Sequence, residues 1–199
     1  MRVYYIKKAR ASKTRRVCHQ CRHEVEPGEA YRYITPRFGP EKYWCSAHLP
    51  RQSDLVGGKL SEAYAAQEAL EDDIDAFRRG TLEDLESSIS TAAEEADRIA
   101  EEYEESISNM PDSLQDSPTA QECQERADAL REWKDELEAV DLGLEEFDSE
   151  AAAAQFDRDT FESDEDFKAA IEEEREKFEA EERERVAAEV ESACGNLQI

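Results

Sequence analysis

Cys18-His19-Gln20-Cys21 and Cys45-Ser46-Ala47-His48 are the residues whose types and spacing can do chemistry in this chain. The pattern reads C-x2-C and then C-x2-H. Each short spacing lets one turn present two ligands to the same ion, and two such pairs complete a tetrahedron, the geometry of structural zinc. Three of the five cysteines and all three histidines fall within residues 18–48, and only Cys123 and Cys194 lie outside. The expected cofactor is therefore one structural Zn2+ per chain, held by Cys18, Cys21, Cys45 and His48. His19 or His23 could stand in for His48, but both lie too near the first pair to close the loop well. Three thiolates and one imidazole leave no open position for water, so the expected centre is structural and the protein is not an enzyme. A redox C-x-x-C would need a βαβ context, which is absent here.

Several elements must position that centre. Glu26-Pro27-Gly28-Glu29 has the composition of a turn, and Ala30-Tyr31-Arg32-Tyr33-Ile34 alternates as a short aromatic strand. Thr35 to Pro40 breaks it, and Glu41-Lys42-Tyr43-Trp44 leads back to the second ligand pair. Val3-Tyr4-Tyr5-Ile6 supplies a further candidate strand. Residues 1–56 form a module too short to bury an adequate core, which is a physical reason to expect a metal there.

The run Ala9-Arg10-Ala11-Ser12-Lys13, then Cys18-x2-Cys21, then Glu26-Pro27-Gly28-Glu29-Ala30-Tyr31-Arg32 resembles the opening of a poly(ADP-ribose)-polymerase-type zinc finger. Fingers of that family recognise DNA breaks, so the resemblance implies contact with nucleic acid. The family carries H-x2-C as its second pair and this chain carries C-x2-H. The implied fold is accordingly the looser treble-clef or zinc-ribbon-like finger. The finger followed by Gly57-Gly58 and Lys59-Leu60-Ser61-Glu62-Ala63-Tyr64 also resembles small proteins of tailed viruses, which implies a viral setting.

Charge divides the chain. It has 199 residues and a formal net charge of −26, yet residues 1–59 hold 13 Lys+Arg against 5 Asp+Glu, a net of +8. Residues 60–199 hold 12 against 46, a net of −34. The break near Gly57-Gly58 is the best boundary in composition. The first 23 residues contain no acid. Lys7, Lys8, Arg10, Lys13, Arg15 and Arg16, interleaved with Tyr4 and Tyr5 and near Tyr31 and Tyr33, are the candidate nucleic-acid contacts, through phosphates and stacked bases. Alternatively, those cations dock on acidic surfaces. The acidic, Lys-poor composition resembles that of proteins from halophilic archaea and their viruses, and an acidic protein of a GC-rich bacterium or phage would share it.

Beyond the boundary the apolar period is helical. Leu60, Ala63, Leu70, Ile74 and Phe77 mark one stripe, Gly80 disturbs it, and Leu82, Leu85, Ile89, Ala92, Ala96, Ile99 and Tyr103 resume it at coiled-coil spacing. Residues 57–110 therefore read as one helix or two kinked near Gly80, with Thr81 as N-cap and Asp84 at the capping-box position. Residues 111–118 form a loop. Residues 119–147 read as a second helix, with Cys123, Ala127, Leu130, Trp133, Leu137, Val140, Leu144 and Phe147 on one side, so an antiparallel hairpin is expected. Residues 148–199 form an acidic tail with a third, solvated and frayed helix from Asp164 to about Ala193. The fold class is α+β: a zinc-bound β-hairpin finger followed by an acidic, mainly α region.

The remaining chemistry is sparse. No His lies beyond residue 48, so His-based triads and di-iron sites are excluded from the helices. Phosphate-binding glycine loops and EF-hand loops are absent. No apolar stretch approaches the ~18–20 residues of a membrane span, no apolar signal region follows the basic N-terminus, and an odd cysteine count argues against a disulfide scaffold. A cytoplasmic protein is expected, with virion association as one setting. The expected function is a non-enzymatic zinc-finger binding protein. Residues 1–23 would meet nucleic acid and residues 82–147 would meet a protein partner or a second copy. The alternative is a protein–protein adaptor or virion component with no nucleic-acid contact.

Overall fold

A computed structural model describes residues 1–11, 15–37, 39–156, 161, 163–197 and 199. It is α+β, with a three-stranded antiparallel sheet near the N-terminus and a mostly helical remainder. The chain divides into two compact units, Met1–Glu68 and Ala69–Ile199. The division falls inside a helix, downstream of the compositional break at Gly57-Gly58.

The first unit is built on strands β1 (Val3–Ile6), β2 (Tyr31–Ile34) and β3 (Lys42–Cys45), in the order β1-β2-β3. Their residues are largely β-branched or aromatic, which suits a half-buried pleated surface. The Glu26–Glu29 turn before β2 closes with the Glu29 N–H donating to the Glu26 carbonyl at 3.1 Å. Gly28 sits there at φ +100°, the left-handed position after Pro27 that a type II turn reserves for glycine. Register places Tyr4 opposite Tyr33 and Tyr33 opposite Tyr43, while Tyr5, Arg32 and Trp44 align on the other face. One face closes over a small core of Ala9, Val25 and Tyr31, flanked by Ile6, Tyr33 and Tyr43. On the other, Ile34 and Trp44 are fully buried. The module thus has two thin apolar layers, more core than its length suggests.

Helix α1 (Gln52–Leu55) follows, its Asp54 carboxylate accepting from the Arg51 N–H at 3.2 Å and from Lys42 Nζ at 2.9 Å. Helix α2 (Lys59–Arg78) begins in this unit, where Glu68 accepts from the Ser53 N–H at 2.9 Å and its hydroxyl at 2.6 Å.

In the second unit α2 ends at Gly80, φ +68°. The Gly80 N–H donates to the Phe77 carbonyl and the Thr81 N–H to that of Ala76, the paired bonds of a Schellman stop. Two separate helices therefore occupy residues 57–110. Helix α3 is Glu86–Ser108, with Leu85 as N-cap. Thr81 is not that cap: its hydroxyl donates back to the Ala76 carbonyl, and Asp84 takes the Glu86 N–H instead. A 3-10 turn (Asp112–Leu114) occupies the expected loop, and Ser117 caps helix α4 (Pro118–Glu138), with Pro118 at its first position.

Helices α3 and α4 pack antiparallel, with Lys134 paired to Asp97 and Arg131 to Glu104. Ile89, Ala92, Ala96, Ile99 and Tyr103 are buried on α3; Ala127, Leu130, Trp133 and Leu137 are buried on α4. Helix α4 stops nine residues short of the expected Phe147. Asp141 Oδ1 accepts the Gly143 N–H, a local bond that competes with helix. The Gly143 carbonyl then accepts from Arg185, and Phe147 meets Phe178 at 5.6 Å. Helices α5 (Ser149–Gln155) and α6 (Asp164–Cys194) complete the unit. The C-terminal end of α6 is not frayed: Val186, Ala187, Val190, Ala193 and Cys194 are buried. On α6, Glu173 pairs with Lys177, Glu179 with Arg183, and Arg185 with both Glu182 and Glu189. Among the described residues, no helix is long and apolar enough to cross a membrane.

Candidate metal centre

The first ligand pair sits in a tight knuckle. Val17 and Glu24 bridge antiparallel, the Cys18 N–H donates to the His23 carbonyl at 2.8 Å, and the Arg22 N–H donates to the Cys18 carbonyl at 3.1 Å. Turning the chain so sharply places Arg22 at φ +63°, a conformation costing a non-glycine residue about 1–2 kcal/mol. The second pair leaves the end of β3, where the His48 N–H donates to the Cys45 carbonyl at 3.2 Å. A parallel bridge between Cys18 and Tyr43 brings the knuckle against β3.

The result is a cluster of Cys18, Cys21, Cys45 and His48 whose ligand atoms all lie within 4.8 Å of one another, close enough to hold a metal ion. The Cys21 and Cys45 sulfurs are 3.8 Å apart, and His48 Nδ1 lies 3.1 Å from Cys45 Sγ and 3.7 Å from Cys18 Sγ. Tetrahedral zinc with Zn–S near 2.3 Å requires sulfurs about 3.8 Å apart and S···N separations of about 3.6 Å. The donor set and its spacing fit such an ion. Cys18 and Cys45 are buried, Cys21 is exposed, and His48 is half-buried.

Electrostatics suit a cation. Burial pushes the Cys18 thiol up, but backbone hydrogen bonds from Cys21, Cys45 and Gln20, with help from the Cys21 thiol, outweigh it and bring it down to about 6. Burial raises Cys45, and its thiol neighbours Cys18 and Cys21 raise it further. One thiolate therefore forms readily and resists the next, which a bound cation would relieve.

The other histidines are engaged elsewhere. His23 Nε2 meets Glu29 Oε2 at 2.9 Å, a bond that holds its imidazolium above the usual range. His19 lies edge-on to Trp44 with ring centroids 5.9 Å apart, and its Nε2 is 3.8 Å from Asp54 Oδ1. Sequence reasoning missed Arg32. It projects from β2 and donates from Nη1 to the carbonyls of Ser46 at 3.3 Å and His48 at 3.2 Å, bracing the second ligand turn. Strand register alone reveals that contact.

The basic surround is mixed. Lys7, Lys8 and Arg10 are exposed. Arg15 is exposed too but forks onto Glu24. Arg16 donates to the Arg10 carbonyl at 3.0 Å and lies over the Tyr31 ring at 5.2 Å. Lys13 falls outside the described residues. Cys123 and Cys194 belong to the helical unit, where burial and the nearby Glu71 and Glu191 push the Cys194 thiol up to about 12.

No known protein family, curated protein or solved structure matches this chain. The reading of function rests on the site itself.

Proposed function

We propose that the first unit is a zinc-stabilised, non-enzymatic finger that binds nucleic acid, joined to an acidic helical unit that serves protein contacts. The observation that carries the nucleic-acid reading is the run Lys7, Lys8 and Arg10. These cations are exposed, and they stand in a stretch of 23 residues without one acid. A surface of that kind draws a polyanion by releasing its condensed counterions. The metal's part is structural: three sulfurs and one nitrogen fill four coordination positions, so the ion holds the knuckle to β3 and activates no water.

A salt-titrated binding measurement with a labelled DNA tests this. Contact with three phosphates gives a slope of about −2.7 in log K against log[salt], roughly a 40-fold loss for a fourfold rise in salt. Absence of binding at low salt overturns the reading and favours an adaptor whose cations meet acidic protein.

A further inference from the structure

The sheet sorts its tyrosines. Tyr4, Tyr33 and Tyr43 stand opposite one another across β1, β2 and β3, on the face away from Tyr5. Tyr4 and Tyr33 stack with ring centroids 5.0 Å apart and an interplanar angle of 19°. Tyr4 is 40% exposed, whereas Tyr31 on the same face is buried under Arg16. Arg2 lies over the Tyr4 ring at 5.5 Å. Tyr33 leads to Tyr31 at 6.1 Å, Tyr31 to the Arg16 guanidinium at 5.2 Å, and Arg16 to a pocket of about 370 Å3 that it lines with Arg10, Arg15, Glu24, Val25, Glu26 and Pro27. Tyr43 lies 6.0 Å from Tyr31 and 6.2 Å from Tyr33, and its hydroxyl donates to Glu41, which places an acid beside the row.

We infer that the exposed edge of this tyrosine face is a stacking platform for single-stranded nucleic acid, with Tyr4, backed by Tyr33, receiving a base and the backbone running toward the arginine pocket. The inference rests on the nucleic-acid reading above and narrows it to unpaired strands. An aromatic ring holds a base by stacking on its face, and a duplex hides those faces. The Arg2 guanidinium lies over Tyr4, a position that a stacked base would take or share. A phosphate is favoured beside Arg16 and Arg10, where it competes with Glu24 for Arg15 and meets Glu26, and disfavoured beside Glu41. The net +8 of residues 1–59 matches a polyanion.

Fluorescence anisotropy on the full zinc-loaded chain tests the inference, using labelled oligothymidylate of about 12 nucleotides and a duplex of equal length. The single strand should bind about ten-fold tighter than the duplex at equal salt. Tyr4→Leu, which keeps an apolar strand residue but loses the ring, should weaken single-strand binding by about ten-fold and leave the salt slope unchanged. Tyr4→Trp should retain it, and Tyr5→Leu on the opposite face should change nothing. Equal affinity for strand and duplex, with Tyr4→Leu inert, overturns the platform and leaves nucleic-acid binding standing. Failure of both oligonucleotides to bind at low salt overturns both readings. Tight binding of a labelled oligoglutamate peptide in that case assigns the surface to acidic protein.

Discussion

Arg32 Nη1 donates to the His48 carbonyl at 3.2 Å and so ties the central strand of the sheet to the fourth ligand of the cluster. Groups that orient metal ligands from behind typically change affinity by about 10–100-fold when removed. Arg32→Met should therefore lower zinc affinity by about ten-fold in a chelator competition. Arg32→Lys should restore it in part, because one ammonium nitrogen, like Nη1, can donate to both carbonyls. Unchanged affinity in Arg32→Met would show that β3 alone holds the turn.

Replacing Cys18, Cys21, Cys45 or His48 with Ala should abolish stoichiometric zinc, with one ion per chain in the unaltered protein. His19→Ala and His23→Ala should keep it, because those rings are turned to Asp54 and Glu29. Elemental analysis reads both results. Zinc retained in His48→Ala and lost in His23→Ala would reassign the fourth ligand.

Removing metal with a chelator should loosen the first unit and spare the helices. Each unit has one fully buried tryptophan, Trp44 in the first and Trp133 in the second. In a Trp133→Phe chain the emission of Trp44 should shift to the red on chelation, while far-ultraviolet circular dichroism keeps its helical signal. Loss of helix in step with the shift would show that the two units fold together.

Cys194 should be the last thiol to react. Its pKa rises from 9.0 to about 12 on burial near Glu71 and Glu191, so it stays protonated in the fold at a pH where an unfolded chain has ionised it. The native state then binds more protons than the unfolded state above about pH 9, and stability falls as pH rises through that window. With zinc bound, a disulfide reagent at mildly alkaline pH should label Cys123 first and reach Cys194 only in denaturant. Cys194→Ala should flatten the alkaline fall.

Much of the finger was legible in its residues. The ligand spacings and the paired aromatic runs pointed to the cluster and to β2 and β3, because both signals are local. Arg32 was not legible, since its partner lies across a strand register that only folding creates. In the helical unit the stripes of α2, α3 and α4 as far as Leu137 stand where the apolar period put them. The end of α4 could not be read from that period. Val140, Leu144 and Phe147 keep helical spacing, but Asp141 and Gly143 make a local turn and Arg185 and Phe178 reward the irregular path. The burial of the α6 terminus escaped for a related reason: its acid-rich sequence carries too thin a stripe to show which end meets a neighbour.

The α3 face toward α4 is built substantially from Ala92, Ala93, Ala96 and Ala100, each almost wholly enclosed. Side chains that small let two backbones approach closely and leave no slack. In a library of random substitutions these four positions would be purged of every residue larger than serine, while the acidic positions on the outer face would drift freely. A lineage descended from this chain would then keep a ladder of alanines long after its surface charges had been rewritten.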